Sequence, residues 1–304
     1  MLAIVAAIVI IDAVWARIIH ADLDGAAFGF LAVISFALVG GGVFYDRVRK
    51  DERLSTMLYG TAFLIVFSAA FSALNYLLLT VAGPRIDGPL AAADRAIGID
   101  WPAMMAARAE HQRVNLVLQL CYVSVMPQIA ILVIALSGSK HRETIYRLCL
   151  SIAAGAILTV FFWTAFPSFG AFSVYELAPT VARRLALALD GHYAHDLVGL
   201  LKSGPGLISP RSAKGLVGFP SFHGALAILV AWYAWPLKAL RWPALVLNTL
   251  VLVATPIQGG HHVVDVFAGF AVAAAAVVIT NRVARIAPKP ATDALEGLAP
   301  PQLT

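Results

Sequence analysis

Three histidines and an aspartate stand out in a chain that otherwise keeps polar side chains sparse. They lie in GFPSFHGALA, residues 218–227, and IQGGHHVVDVFAG, residues 257–269. His261 and Asp265 are four residues apart, so on a helix they share one face. A carboxylate one turn away can accept the imidazole Nδ1–H. That fixes the tautomer and leaves Nε2 as a lone pair able to attack phosphorus. His262 points about 100° away from His261 and matches Asp265 less well. Gly259 and Gly260 leave room for a substrate to approach the backbone. In the first stretch, Pro220 suits a first helical turn, where its missing N–H is not needed. The backbone N–H groups of Ser221, Phe222 and His223, the Ser221 hydroxyl and the helix dipole then make a site for an anion such as phosphate. His223 stands beside it as a proton donor near neutral pH.

His and Asp are also metal ligands. H-H-x-x-D, however, lacks the i, i+4 histidine pair of zinc helices. The expectation is chemistry without a metal or other cofactor.

Elements must carry these residues to one place. The chain has 304 residues, of which 60% are hydrophobic and only 13% charged. Its mean hydropathy is +0.83. Average soluble domains are nearer a quarter charged. Apolar segments fall at 2–19, 26–45, 56–82, 114–137, 145–166, 220–237, 243–257 and 262–281. Spanning a bilayer takes about 20 helical residues. The pattern predicts an all-α, polytopic membrane helix bundle of about eight transmembrane helices. The first segment begins MLAIVAAIV, without the basic start or cleavage site of a signal peptide, and reads as a helix that stays. Cys121 and Cys149 lie within apolar runs and read as small buried hydrophobes.

Lysine and arginine set the expected orientation. Arg47, Arg49, Lys50 and Arg53 lie between segments two and three, and Lys140, Arg142 and Arg147 between four and five. Lys238 and Arg241 lie between six and seven, and Arg282, Arg285 and Lys289 after eight. With eight alternating helices all of these share one side, which the positive-inside rule makes cytoplasmic along with both termini. The net charge of +5 is small and spread over loops. It fits topology, not nucleic-acid binding. The opposite side carries two long connections, 83–113 and 167–219, rich in Gly and Pro and suited to short surface helices. Both motifs open helices on that outer side. The division expected is 1–55 for two N-terminal helices, 56–286 for the remaining six helices and their connections, and 287–304 for a Pro-rich disordered tail.

P-S-x-H followed some forty residues later by H-x-x-x-D resembles the second and third signature motifs of the type 2 phosphatidic acid phosphatase superfamily. The resemblance implies a six-helix core and phosphoester chemistry on lipids through a phosphohistidine. It implies His261 as nucleophile, Asp265 as its orienter, His223 as general acid and Ser221 as a phosphate ligand. Phe222 replaces the commoner glycine, which is similar to the branch containing inositol phosphorylceramide synthase and tilts the reading toward phosphotransfer. Ala254 and Thr255 stand where the third motif usually has Ser-Arg, and the first motif is absent in its usual form. Arg211, Lys202 and Lys214 are candidates to hold phosphate instead, with Arg211 and Lys202 ahead. Arg183, Arg184 and the 83–113 connection stand behind them. The expected partners are a membrane lipid phosphate and an acceptor, either water or an alcohol, with the site on the outer face of the inner membrane. The rival readings are a transporter, for which discontinuous midplane helices would be expected, and an inactive scaffold.

Overall fold

A computed structural model describes residues 1–139, 142–185, 187–188 and 193–286. The expected tail, 287–304, and Lys140 lie outside the described residues. Among the described residues the chain is all helix. It runs α1 (Leu2–Ile19), α2 (Gly25–Arg47), α3 (Glu52–Leu78), α4 (Asp87–Ala96), α5 (Trp101–Ala109), α6 (Gln112–Val123) and α7 (Val125–Gly138). Then follow α8 (Arg142–Ala165), α9 (Pro179–Leu185), α10 (Tyr193–Ser203), α11 (Phe222–Ala234), α12 (Arg241–Gln258) and α13 (Val263–Ile286).

Every predicted apolar segment is helical, but the eight are not equal. Among the described residues α1, α2, α3, α8 and α13 are long and apolar enough to cross a membrane. The pair α6 and α7, bent by 50°, makes a sixth span if taken together. α11 has only 13 residues. α12 carries Arg241, Asn248 and an internal Pro256, which dilute its apolar character. The break between α6 and α7 is at Ser124, just before Pro127. Proline cannot supply an N–H to the carbonyl one turn back, so the rod bends there.

Side-chain bonds fix which ends lie together. At one end the Ser137 hydroxyl of α7 donates to the Arg53 carbonyl of α3 (2.5 Å), and Arg147 of α8 donates to Asn281 of α13 (2.8 Å). One turn deeper, Ser151 bonds Tyr233 of α11 and Thr280 of α13. At the other end Gly83 donates to Thr164 and Ile86 to Pro167. The helices therefore alternate in direction, and the Lys and Arg clusters gather at the first end.

α8 is the axis of the core. Ile145, Leu148, Cys149, Ala153 and Ala156 are buried among α3, α7, α11 and α13. α1 and α2 are peripheral: only 17% of each apolar window is buried, against 56% for α8. The α1–α2 turn is tied to the outer connection by a parallel bridge between Leu23 and Ile208 and by the Ser209 hydroxyl donating to Asp24. Asp24 also caps α2 by accepting from Ala27.

Candidate active site

α11 begins at Phe222, two residues later than the sequence implied. Ser221 is its N-cap and accepts from the Gly224 N–H at 3.1 Å, so Pro220 precedes the helix. The Ser221 N–H is taken by the Asp265 carbonyl at 3.0 Å. That leaves the N–H groups of Phe222 and His223 without a protein partner among the described residues, as first-turn positions normally are. The Phe222 side chain turns into the bundle, packing beside Gly155 of α8.

α13 also starts later, at Val263, so His261 sits in the turn before it. Three buried groups close that helix end. Asp265 reaches back to the His262 N–H at 2.9 Å, in the manner of a capping box. Asp94, from α4, accepts from Val263 and Val264, each at 2.9 Å. Carboxylates at a helix N-terminus are favoured by its dipole. His262 is fully buried, its Nδ1 3.7 Å from Asp94, and among the described residues neither ring nitrogen has a hydrogen-bond partner.

His261 is 6% exposed. Its Nδ1 lies 2.9 Å from the Gly218 carbonyl and 3.4 Å from Asp265 Oδ2. Both neighbours are acceptors, so Nδ1 carries the proton and Nε2 has the lone pair. The shorter bond goes to Gly218, and Asp265 is the second acceptor. Nε2 faces the Ser221 hydroxyl at 3.5 Å, at the mouth of α11. Burial pushes the His261 imidazole down to about 4, with the Gly218 hydrogen bond acting the other way.

His223 lies one turn into α11. Its Nε2 is 2.8 Å from the Tyr122 carbonyl, and its ring stacks on Tyr122 with centroids 4.0 Å apart. Tyr122 is in the last turn of α6, where carbonyls lack partners within their own helix. The α6–α7 bend thus supplies the acceptor that orients His223.

Gly260 does not simply leave space. Its φ is +61°, its carbonyl accepts from Ala171 at 2.6 Å, and a Cβ there would meet the Phe172 ring at 2.0 Å. Glycine is required because the 170–172 turn packs directly on it. That turn is held by Asp87, whose Oδ1 accepts from Ser168, Phe169 and Gly170. Arg85 pairs with Asp87 at 2.6 Å and lies over the Phe169 ring. Gly218 joins the same turn through its N–H, donated to the Ser168 carbonyl at 2.7 Å.

The structure thus brings His261, Asp265, Ser221, His223 and Gly260 together. The residues of the expected basic clamp make their described contacts with other neighbours. The Arg211 N–H bonds Ser209 beside the α1–α2 turn. Lys214 pairs with Asp196 at 2.5 Å. Lys202 lies in the last turn of α10 and is exposed. Arg183 turns back to the Pro179 carbonyl. Asp94, Asp87, Tyr122 and Arg85 were not singled out from the sequence. They come from connections remote in the chain and belong to no local motif. No cluster of three or more His, Cys, Asp or Glu able to hold a metal occurs among the described residues.

The described residues form a helical bundle in which the His261 Nε2 faces the capped mouth of α11. Residues 88–279, well over half of the chain, match the family model of the PAP2 superfamily. The chain belongs to this superfamily, the type 2 phosphatidic acid phosphatases. No curated protein and no solved structure matches the chain significantly.

Proposed function

We propose that the protein is an integral membrane lipid phosphatase or phosphotransferase that forms a phosphohistidine on His261. Family membership supports the coarser statement, a phosphatase-type function. The observation that carries the finer one is the commitment of His261 Nδ1–H to Gly218 and Asp265, which frees Nε2. In the first step Nε2 attacks phosphorus and the bond from phosphorus to the leaving oxygen breaks. The Phe222 and His223 N–H groups and the Ser221 hydroxyl face the phosphoryl oxygens. His223, held by Tyr122 through Nε2–H, enters the step as the imidazolium and gives the departing alcohol its second proton, from Nδ1. In the second step water or an alcohol attacks the phosphorus and loses its proton to His223. The bond to Nε2 breaks, and phosphate or a new ester leaves. Asp94 and Asp265 hold the turn that carries His261. Arg85, which pairs with Asp87 and so joins the 168–170 turn packed beside Gly218 and Gly260, is the basic side chain proposed to meet the substrate phosphate.

A lipid substrate is supported by depth. Trp232, Trp235 and Trp242 are exposed at the far end of α11, where aromatic side chains mark a membrane interface. Thirteen helical residues span about 20 Å, against about 30 Å of hydrocarbon, so the mouth of α11 is recessed. Phe222, through its resemblance to the inositol phosphorylceramide synthase branch, favours an alcohol acceptor over water.

The test is incubation of purified protein with lipid phosphates and diphosphates labelled at phosphorus, with and without acceptor alcohols. The wild type should give an acid-labile phosphoenzyme mapped to His261, and His261→Ala none. Label on His262, or full turnover by His261→Ala, would sink the assignment.

A further inference from the structure

We infer that the end of the bundle opposite His261 holds a second binding site, for a phosphate-bearing anion, built by Arg49, Lys50, Arg53, Arg142 and the Thr56 hydroxyl. A cavity of about 480 Å³ opens there between the α2–α3 turn and the start of α8. This lies within the range of about 300–1,000 Å³ usual for small-ligand pockets. It is separate from the first site. Arg142 and Ile145 line it from the first turn of α8, whereas Ser168 lies just beyond the other end of that helix, whose 24 residues span about 36 Å.

The lining chemistry selects an anion. Four cations face two carboxylates, Asp51 and Glu52. One carboxylate is already used: Asp51 Oδ1 caps α3 by accepting from Arg53 and Leu54, at 3.0 and 3.1 Å. Among the described residues none of the four cations pairs with a carboxylate within 4.0 Å. Guanidinium groups match phosphate oxygens in geometry as well as charge.

Thr56 is the independent sign. It lines the cavity, is 1% exposed, and its hydroxyl has no hydrogen-bond partner among the described residues. A helical threonine ordinarily turns its hydroxyl back to a carbonyl of the preceding turn. Its neighbour Ser55 does so, to Glu52 at 3.2 Å. Arg142 also lies over the Tyr146 ring, and a buried donor left unspent beside four cations that pair with no carboxylate is matched by a ligand oxygen. Basic pockets between transmembrane helices are general binding places for anionic headgroups. A lipid of the adjacent leaflet and a soluble phosphate ester present the same group, and the experiment separates them.

Protein in nanodiscs of phosphatidylcholine with a minority of phosphatidylglycerol would be released and weighed by native mass spectrometry. The background is His261→Asn, so that phosphoryl transfer plays no part. The protein should retain a phosphatidylglycerol that the double variant Arg53→Gln/Arg142→Gln loses. Thr56→Val keeps the shape without the hydroxyl and should bind on the order of tenfold more weakly. In a second arm, soluble sn-glycerol 3-phosphate is titrated into protein in phosphatidylcholine alone. Lipid retention assigns the site to the leaflet; saturable glycerol phosphate binding without it assigns the site to a soluble ester. Equal retention by the parent and both variants, with no glycerol phosphate binding, overturns the proposal. Binding alone is read, so either result leaves the His261 reading untouched.

Discussion

At the scale of single residues, the two acceptors on His261 Nδ1 set the size of the effects expected. Where one carboxylate alone holds a catalytic imidazole, its amide variant costs about 10⁴-fold. Here the Gly218 carbonyl at 2.9 Å holds the tautomer as well, closer than Asp265 at 3.4 Å. Asp265→Asn should therefore lower kcat by on the order of 10²-fold, measured on protein with an unchanged circular dichroism spectrum. The pH profile follows from burial. Protonation consumes the Nε2 lone pair, so activity is present above the folded-state value and lost as pH falls through it. With His261 pushed down to about 4, the acid limb of kcat/KM should lie there, well below histidine's ordinary 6.5. A limb at the ordinary value would mean that another group controls the rate. Arg85→Gln should lower kcat/KM by about 10–100-fold, the worth of a charged phosphate contact. Arg211→Gln should leave it near wild type, because Arg211 lies at the α1–α2 turn. The meeting of His261, Asp265 and the α11 mouth was legible because its signal is local: a spacing of four and a helix start. The contacts of the basic residues were not. Chain proximity favoured Arg211 and Lys202, while the Leu23–Ile208 bridge ties the 208–211 stretch to the N-terminal helices.

Elements deliver these residues through close approaches that composition does not disclose. Apolar runs revealed every helix of the bundle, yet the caps and the bend decide the site. Asp94 sits 169 residues from the N–H it accepts from on α13, and no pattern within either helix announces that pairing. Tyr122 is useful only because α6 ends there. The approach of α11 to α13 is equally specific: a Cβ on Gly269 would lie 2.7 Å from the Ser221 carbonyl. Backbone cannot yield as a side-chain end can, so the helices must separate. Gly269→Ala should stretch the Ser221 N–H to Asp265 carbonyl bond and displace the α11 mouth from His261. A shift of about 1 Å in a reacting group can cost about 10²-fold, so kcat should fall well before thermal stability does. Asp94→Asn acts on the same helix end. An amide oxygen can keep one of the two N–H groups, and losing the other charge-assisted bond should cost about 2 kcal/mol, read from denaturant unfolding, together with a lower kcat at similar KM.

At the scale of the whole molecule, charge and chemistry are sorted to opposite ends. Ser137–Arg53, Arg147–Asn281 and Ser151–Thr280 bind the helix ends that carry Arg53, Arg142, Arg147, Arg282 and Arg285 into one layer. His261, His223 and the 166–170 turn lie at the other. Short basic segments resist translocation, so the basic end should face the cytoplasm and the His261 mouth the outside. The nine Lys and Arg of the two long connections oppose this only weakly, because long loops cross the membrane largely regardless of charge. Single-cysteine labelling decides it. The two native cysteines are buried and free, and both can be replaced by alanine. Ser212 and Ser139 are exposed at the two ends. A membrane-impermeant maleimide applied to intact cells should label the Ser212→Cys protein at once. It should label the Ser139→Cys protein only after the membrane is opened. The reverse pattern would turn the bundle over. His261 would then meet lipid phosphates of the inner leaflet and an acceptor drawn from the cytoplasm, and the cavity at Thr56 would face the outer leaflet.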